Sequence, residues 1–334
     1  MIKQSFGRKV KPIHSNSKEL HAVLGEGLQI ILINTGKVII MITSTNFCKV
    51  QKLDDDLYVI TQAGLVHLYL ILGQKKAIII DAGYGFEDIM PIIRSITSLP
   101  VMLVLTHGDP DHSYGSEYFG DIWLYQPDYG QIMGFDTRQE RQFIAEMGVN
   151  YLKENKPEAI EHFDSKAFTE RSLLRILTPH FVKDGEVFDL GGKTLEVIFT
   201  PGHSYGHIML LDREKKRLFS GDMICDYVII YFFESDRNAP FFMALDSWKK
   251  IKRLENDIKD IYSAHGTLPI TIDYVDAYIE CFSGEFQQNY LKDKPFDRGP
   301  LGRGYQHIYK TVNIQYSDKR LEEFLGHKVE RIDL

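Results

Sequence analysis

The sequence predicts an α/β protein, and three observations carry that expectation. Apolar runs of strand length stand at residues 57–60, 65–72, 77–80 and 101–105, the first three separated by glycine or charged turn residues. Between the last two lies a stretch with Ile89, Ile92, Ile93, Ile96 and Leu99 on one helical face and Pro91 in its first turn, which makes a β-α-β unit. Farther along, strands repeatedly end in glycine-bearing turns that carry histidine or aspartate.

The chain has 334 residues, 44% hydrophobic and 25% charged, which suits one large folded domain or two smaller ones. A net charge of -7 with no basic stripe argues against a nucleic-acid partner. Cys48, Cys225 and Cys281 lie far apart with no CxxC pair, as expected in a reduced, cytoplasmic compartment. The N-terminus lacks an apolar core of signal-peptide length. Residues 28–42 are greasy, but Asn34, Gly36 and Lys37 interrupt them, so they read as a hairpin and no membrane partner is expected. Residues 1–48 read as an N-terminal extension ending in that hairpin, without assigned chemistry.

The three strands from residue 57 come next, and His67 inside the second reads as a core or edge histidine. Asp81-Ala82-Gly83-Tyr84-Gly85 closes the third. Its third glycine is missing and Glu87-Asp88 would repel a pyrophosphate, which sets dinucleotides aside. After the strand at 101–105, Thr106-His107-Gly108-Asp109-Pro110-Asp111-His112 leaves on one tight turn, where Gly108 and Pro110 discourage regular continuation. Neutral imidazole and carboxylate are donors that suit zinc, iron or manganese. For this heptapeptide taken alone, a polar surface turn with a helix N-cap is the alternative.

A helix is expected from Ser113 to Phe119 and a strand at 122–125, followed by a helical insertion at about 128–177 with helices over 138–147 and 167–177. Strands resume at 193–199, 208–211 and 217–219. An aromatic block (Tyr227, Tyr231, Phe232, Phe233, Phe241, Phe242) precedes an amphipathic helix with Leu245, Trp248, Ile251, Leu254 and Ile258. A short strand at 261–264 delivers His265. A helix over 272–282 and a polar tail over 286–334 close the chain.

His107, Asp109, Asp111 and His112, then His203, Asp222 and His265, thus stand in a fixed order at four strand ends. Together they resemble the metallo-β-lactamase superfamily, whose pattern is HxHxDH, a histidine in a PGH turn, an aspartate after a small-Gly pair and a final histidine. The resemblance covers residues 49–285 and includes the Asp81-Ala82-Gly83 turn. It implies a four-layer αββα sandwich with two divalent metal ions between loops at one sheet edge, zinc first, with iron or manganese as alternatives. By position, His107 and His203 would bind the first ion, Asp111, His112 and His265 the second, and Asp222 both. Asp81 would tie neighbouring ligand loops by hydrogen bonds, and His207 would order its own loop.

The chain departs from the pattern at Asp109, where the family has a second histidine. Aspartate there can ligate the first metal directly, reach it through water, or leave a single-metal site; direct ligation ranks first, because a carboxylate beside two cations is strongly favoured. The resemblance implies a hydrolase that cleaves an ester, thioester, lactone or related bond of a small molecule, with Asp111 passing a proton to the leaving group and Asp222 completing the catalytic pair. Ser204 and Ser220 lack a free histidine base. Tyr205 or Tyr227 would donate to the oxyanion, and the aromatic block would wall an apolar or acyl pocket. The carboxylate at 109 also resembles flavodiiron proteins, which implies a di-iron oxidoreductase needing a separate electron donor. A third reading is a sensor that holds metal without turnover.

Overall fold

A computed structural model of the chain describes residues 19–23, 29–35, 38–173, 176–226, 228–230, 239, 241–297 and 303–331. Side-chain alternation gives each central strand two apolar faces. On β6 (Val66–Leu72), Val66, Leu68 and Leu70 enter one core while Tyr69 and Ile71 enter another. A sheet buried on both faces must be sandwiched, and it is.

The first sheet runs in the order β1 (Glu19–Val23), β2 (Gln29–Thr35), β3 (Val38–Ser44), β4 (Cys48–Asp54), β5 (Leu57–Gln62), β6, β7 (Ala77–Ile80), β8 (Val101–Val104), β9 (Asp121–Leu124) and β10 (Thr178–Phe181). It is antiparallel up to β7 and parallel from β7 to β10. The second sheet comprises β11 (Val187–Asp189), β12 (Thr194–Phe199), β13 (Ile208–Asp212), β14 (Arg217–Gly221) and β16 (Asp260–Ser263), the last pair parallel. Leu57, Val59, Tyr69 and Ile78 of the first sheet meet Leu195, Val197, Leu210 and Phe219 of the second in the central layer. Helices α1 (Met90–Ile96) and α4 (Arg138–Asn155) cover the first sheet's outer face through Ile92, Ile93, Ile144 and Leu152. Helices α6 (Phe241–Lys252) and α7 (Asp273–Glu280) cover the second through Trp248, Ile251, Val275 and Tyr278. The layers are αββα, as the resemblance implied.

Four local expectations change. Pro110 starts a helix instead of blocking one: α2 (Pro110–Ser113) has proline at its first position, where a missing N–H costs nothing, and a 3-10 turn follows over Tyr114–Tyr118. The helix expected over 167–177 is α5 (Ser165–Glu170); Asp136 captures the Leu173 N–H and the Ser172 hydroxyl, so the chain turns away. Ile258 lies beyond α6, after a 3-10 turn over Glu255–Asp257. Residues read as a polar tail form α8 (Phe286–Asn289), β17 (Lys294–Asp297), β18 (Arg303–Tyr309), β19 (Val312–Tyr316) and α9 (Asp318–Leu325), and β15 (Val228–Ile230) joins β19 in a third sheet. Alternation explains this: Val312, Ile314 and Tyr316 are buried against α6 and α7. The hairpin expected at residues 28–42 forms, with β3 pairing onward to β4. No helix among the described residues is long and apolar enough to cross a membrane.

His307 of β18 is buried, with Nδ1 2.7 Å from Asp293 Oδ1 and Nε2 2.6 Å from Glu285 Oε2. Two carboxylate acceptors require two N–H donors, so the imidazole is charged. Burial alone would push its pKa down; Asp293 and Glu285 override that and hold it above the ordinary value. The bridge therefore contributes fully below the unfolded value of about 6.5 and fades as pH rises through the higher folded value. His307→Gln should lower the urea midpoint most near pH ~6 and least near pH ~9. An equal loss at both pH values would contradict a charged bridge.

Candidate metal centre

Parallel pairing brings the site loops out side by side. Ile80 pairs with Val104, so Asp81 and Thr106 leave adjacent strands together; Gly221 pairs with Ser263, so Asp222 and His265 do the same. The Ile208 N–H donates to the Thr106 carbonyl at 2.8 Å and the His67 N–H to the Ala264 carbonyl, also at 2.8 Å, stitching the two sheets at this edge. Gly221 has φ +51°, and a Cβ there would lie 2.6 Å from His207 Nε2.

The seven residues singled out in the sequence converge. His203 Nε2 lies 3.1 Å from Asp109 Oδ2 and 3.6 Å from Asp222 Oδ2, and His107 Nε2 is 3.6 Å from Asp109 Oδ2. On the other side, Asp222 Oδ1 is 3.2 Å from both His112 Nε2 and His265 Nε2, while Asp111 Oδ2 is 3.3 Å from His265 Nε2 and 3.6 Å from His112 Nε2. Asp222 thus turns one oxygen to each half of the cluster. Donors about 2.0–2.1 Å from a tetrahedral zinc lie roughly 3.3 Å apart, which is this spacing.

Hydrogen bonds fix which nitrogen faces inward. Asp81, at φ +62°, accepts from the Thr106 N–H at 2.7 Å, from the Thr106 hydroxyl, and from His112 Nδ1–H at 2.8 Å. Since Thr106 donates its hydroxyl, it accepts from His107 Nδ1–H at 3.0 Å. His265 Nδ1–H donates to the Leu65 carbonyl at 2.7 Å. The Nε2 lone pairs of all three therefore point into the cluster. Among the described residues, His107 Nε2, His112 Nε2 and Asp222 Oδ1 are buried with no hydrogen-bond partner, a costly state that a cation would relieve. Burial would raise the Asp109 and Asp222 carboxyls, but the neighbouring histidines hold both well below the carboxylate range. Burial would lower His112, yet Asp222, Asp111 and Asp81 hold it well above the imidazole range, so the acidic surroundings favour positive charge at this position, whether proton or cation.

His207 accepts the Asp222 N–H at 3.3 Å through Nε2 and donates Nδ1–H to Thr200 Oγ1 at 2.9 Å. Burial first, then His107 and His203, push it well below the imidazole range, so it orders its loop as a neutral group. Ser204 donates its hydroxyl to Asp128 and Ser220 to the Ile224 carbonyl, which leaves neither as a nucleophile. Tyr205 is 40% exposed between His203 and His207. Tyr227, Tyr231, Phe232 and Phe233 lie outside the described residues, and Phe242 is exposed. His67 bonds Thr61 and the Gly266 carbonyl instead of joining the cluster. Sequence reasoning missed Asp128 and Gln131 of α3 (Gln126–Phe135), which touch the ligand turns; neither carries a motif. Cys281, Glu285 and His307 form another donor group, but the 2.6 Å from His307 to Glu285 is a hydrogen-bond distance, shorter than cation-sharing donors keep.

The chain is similar to known proteins in sequence and in fold. Acyl-coenzyme A thioesterase MBLAC2 of Gallus gallus is 28% identical over 169 residues, 48% of this chain and 58% of that protein. Hydroxyacylglutathione hydrolase GloC of Haemophilus influenzae is 28% identical over 155 residues, 45% of this chain and 62% of that protein. The chain thus spans about three fifths of these curated relatives. A beta-lactamase domain protein from Burkholderia ambifaria shares the fold, with a TM-score of 0.51 at 17% identity over 74% of this chain and 77% of that one. The profile of the metallo-beta-lactamase superfamily matches residues 61–265, the span that holds every residue of the cluster, and the chain belongs to that superfamily.

Proposed function

We propose that the chain is a metal-dependent hydrolase of acyl thioesters that holds two divalent cations, zinc first among them. The observation that carries this reading is Asp222, with Oδ1 facing His112 and His265 and Oδ2 facing His203. His107, Asp109 and His203 would hold the first ion, Asp111, His112 and His265 the second, and Asp222 both. When bound, the pair supplies Lewis acidity and lowers the pKa of a water towards neutrality. Asp81, Thr106 and the Leu65 carbonyl keep the histidine donors aimed, so the ligands need no reorganisation on binding. Asp111, whose side chain is 20% exposed, would pass a proton to the departing sulfur. Tyr205, on the rim, would donate to the acyl oxygen.

Thioesters are favoured because both named relatives act on them, one on acyl-coenzyme A and the other on hydroxyacylglutathione. Asp109 favours a second reading, a di-iron oxidoreductase with a separate electron donor, since an added carboxylate makes the site harder.

Zinc-loaded protein should release thiol from a panel of acyl-coenzyme A and acylglutathione esters, followed with a thiol-reactive dye, and a chelator should abolish release. Two irons per chain with donor-dependent oxygen uptake and no thiol release would favour the oxidoreductase. Asp222→Ala should bring thiol release to background and both ions out of tight binding; retention of either ion would contradict the bridging role. Asp81→Asn, which removes the negative charge behind His112 and replaces one of the two accepting oxygens with an NH2, should weaken zinc about 10–100-fold in chelator competition. An unchanged affinity would mean that Asp81 serves only the turn.

A further inference from the structure

We propose that Gln131 is the positioning residue that lets an aspartate take the place of a histidine at position 109. The inference rests on the two-ion reading above and concerns how its first site is completed.

Asp109 stands at the N-cap of α2, where an aspartate ordinarily accepts an N–H of the first helical turn. Its side chain makes no such bond; only its backbone carbonyl accepts, from the His112 and Ser113 N–H groups at 3.0 and 2.9 Å. The carboxylate is turned inward instead, with Oδ2 towards His203 and His107. At 24% exposure it has room to swing to water or to cap the helix. Gln131 Nε2 donates to Oδ1 and opposes that swing, leaving Oδ2 as the inward donor.

Helix α3 is locked where this contact needs it. Asp128, one turn before Gln131, accepts the Gly108 N–H at 3.0 Å and the Ser204 hydroxyl at 2.6 Å on Oδ2, and the Gly206 N–H at 2.6 Å on Oδ1. One carboxylate thus ties the helix to both ligand turns of the first site. A Cβ at Gly108 would lie 2.6 Å from the Asp128 carbonyl oxygen and 3.1 Å from Gln131 Cβ, so glycine there permits the approach. The shorter aspartate arm is matched to an amide that the close-packed helix carries to it.

The test is zinc titration of the metal-free 334-residue chain against a chromophoric chelator. Wild type should bind two ions. Gln131→Met, close to isosteric without the donor, should weaken about 10–100-fold the ion that His203→Ala also removes, and leave the other unchanged. Gln131→Ala should give the same pattern, with circular dichroism of the metal-free forms as the folding control. In an Asp109→His background, Gln131→Met should have no further effect on affinity, a non-additivity that general damage to α3 would not produce. Unchanged affinities in both Gln131 variants, or equal weakening in the Asp109→His background, would overturn this inference while two ions in wild type leave the functional reading intact. Fewer than two ions in wild type would overturn both.

Discussion

Everything at the sheet edge depends on one buried carboxylate meeting imidazoles on both sides. Asp222 is about nine-tenths buried, and its Oδ1 has no hydrogen-bond partner among the described residues. Such an arrangement is expensive in a medium of low dielectric unless positive charge compensates it. Four loops from two sheets pay that cost together, and the cross-sheet backbone bonds from Ile208 and His67 keep them from relaxing apart. The fold thus gathers carboxylates and imidazoles where a cation would compensate their burial.

The next layer outward fixes the direction of the candidate ligands. Asp81, Thr106 and the Leu65 carbonyl each occupy the rear nitrogen of a histidine, so three Nε2 lone pairs face inward without a search among tautomers. Asp81 achieves this from a left-handed backbone conformation, which places its two oxygens under both Thr106 and His112. Trp248 contributes from the outer helical layer: its Nε1–H donates to the Met223 carbonyl at 2.7 Å, fixing the residue next to Asp222.

Much of this was legible in the sequence because ligand chemistry needs specific residue types at strand ends. His107, Asp109, Asp111, His112, His203, Asp222 and His265 could be read from motif order, and the central strands from their apolar runs. What escaped was set by packing. Pro110 looked like a breaker and proved a helix start. Val312, Ile314 and Tyr316 alternate, yet among polar neighbours they read as tail until α6 and α7 supply the surface they cover. Asp128 and Gln131 belong to no motif, and only the approach of α3 to Gly108 reveals what they touch.

Crystals grown with zinc and measured on both sides of its absorption edge test the central claim most directly. The account predicts two anomalous peaks about 3.5–4 Å apart, one on each side of the Asp222 carboxylate. A single peak, or peaks that Asp222 does not touch, would contradict it.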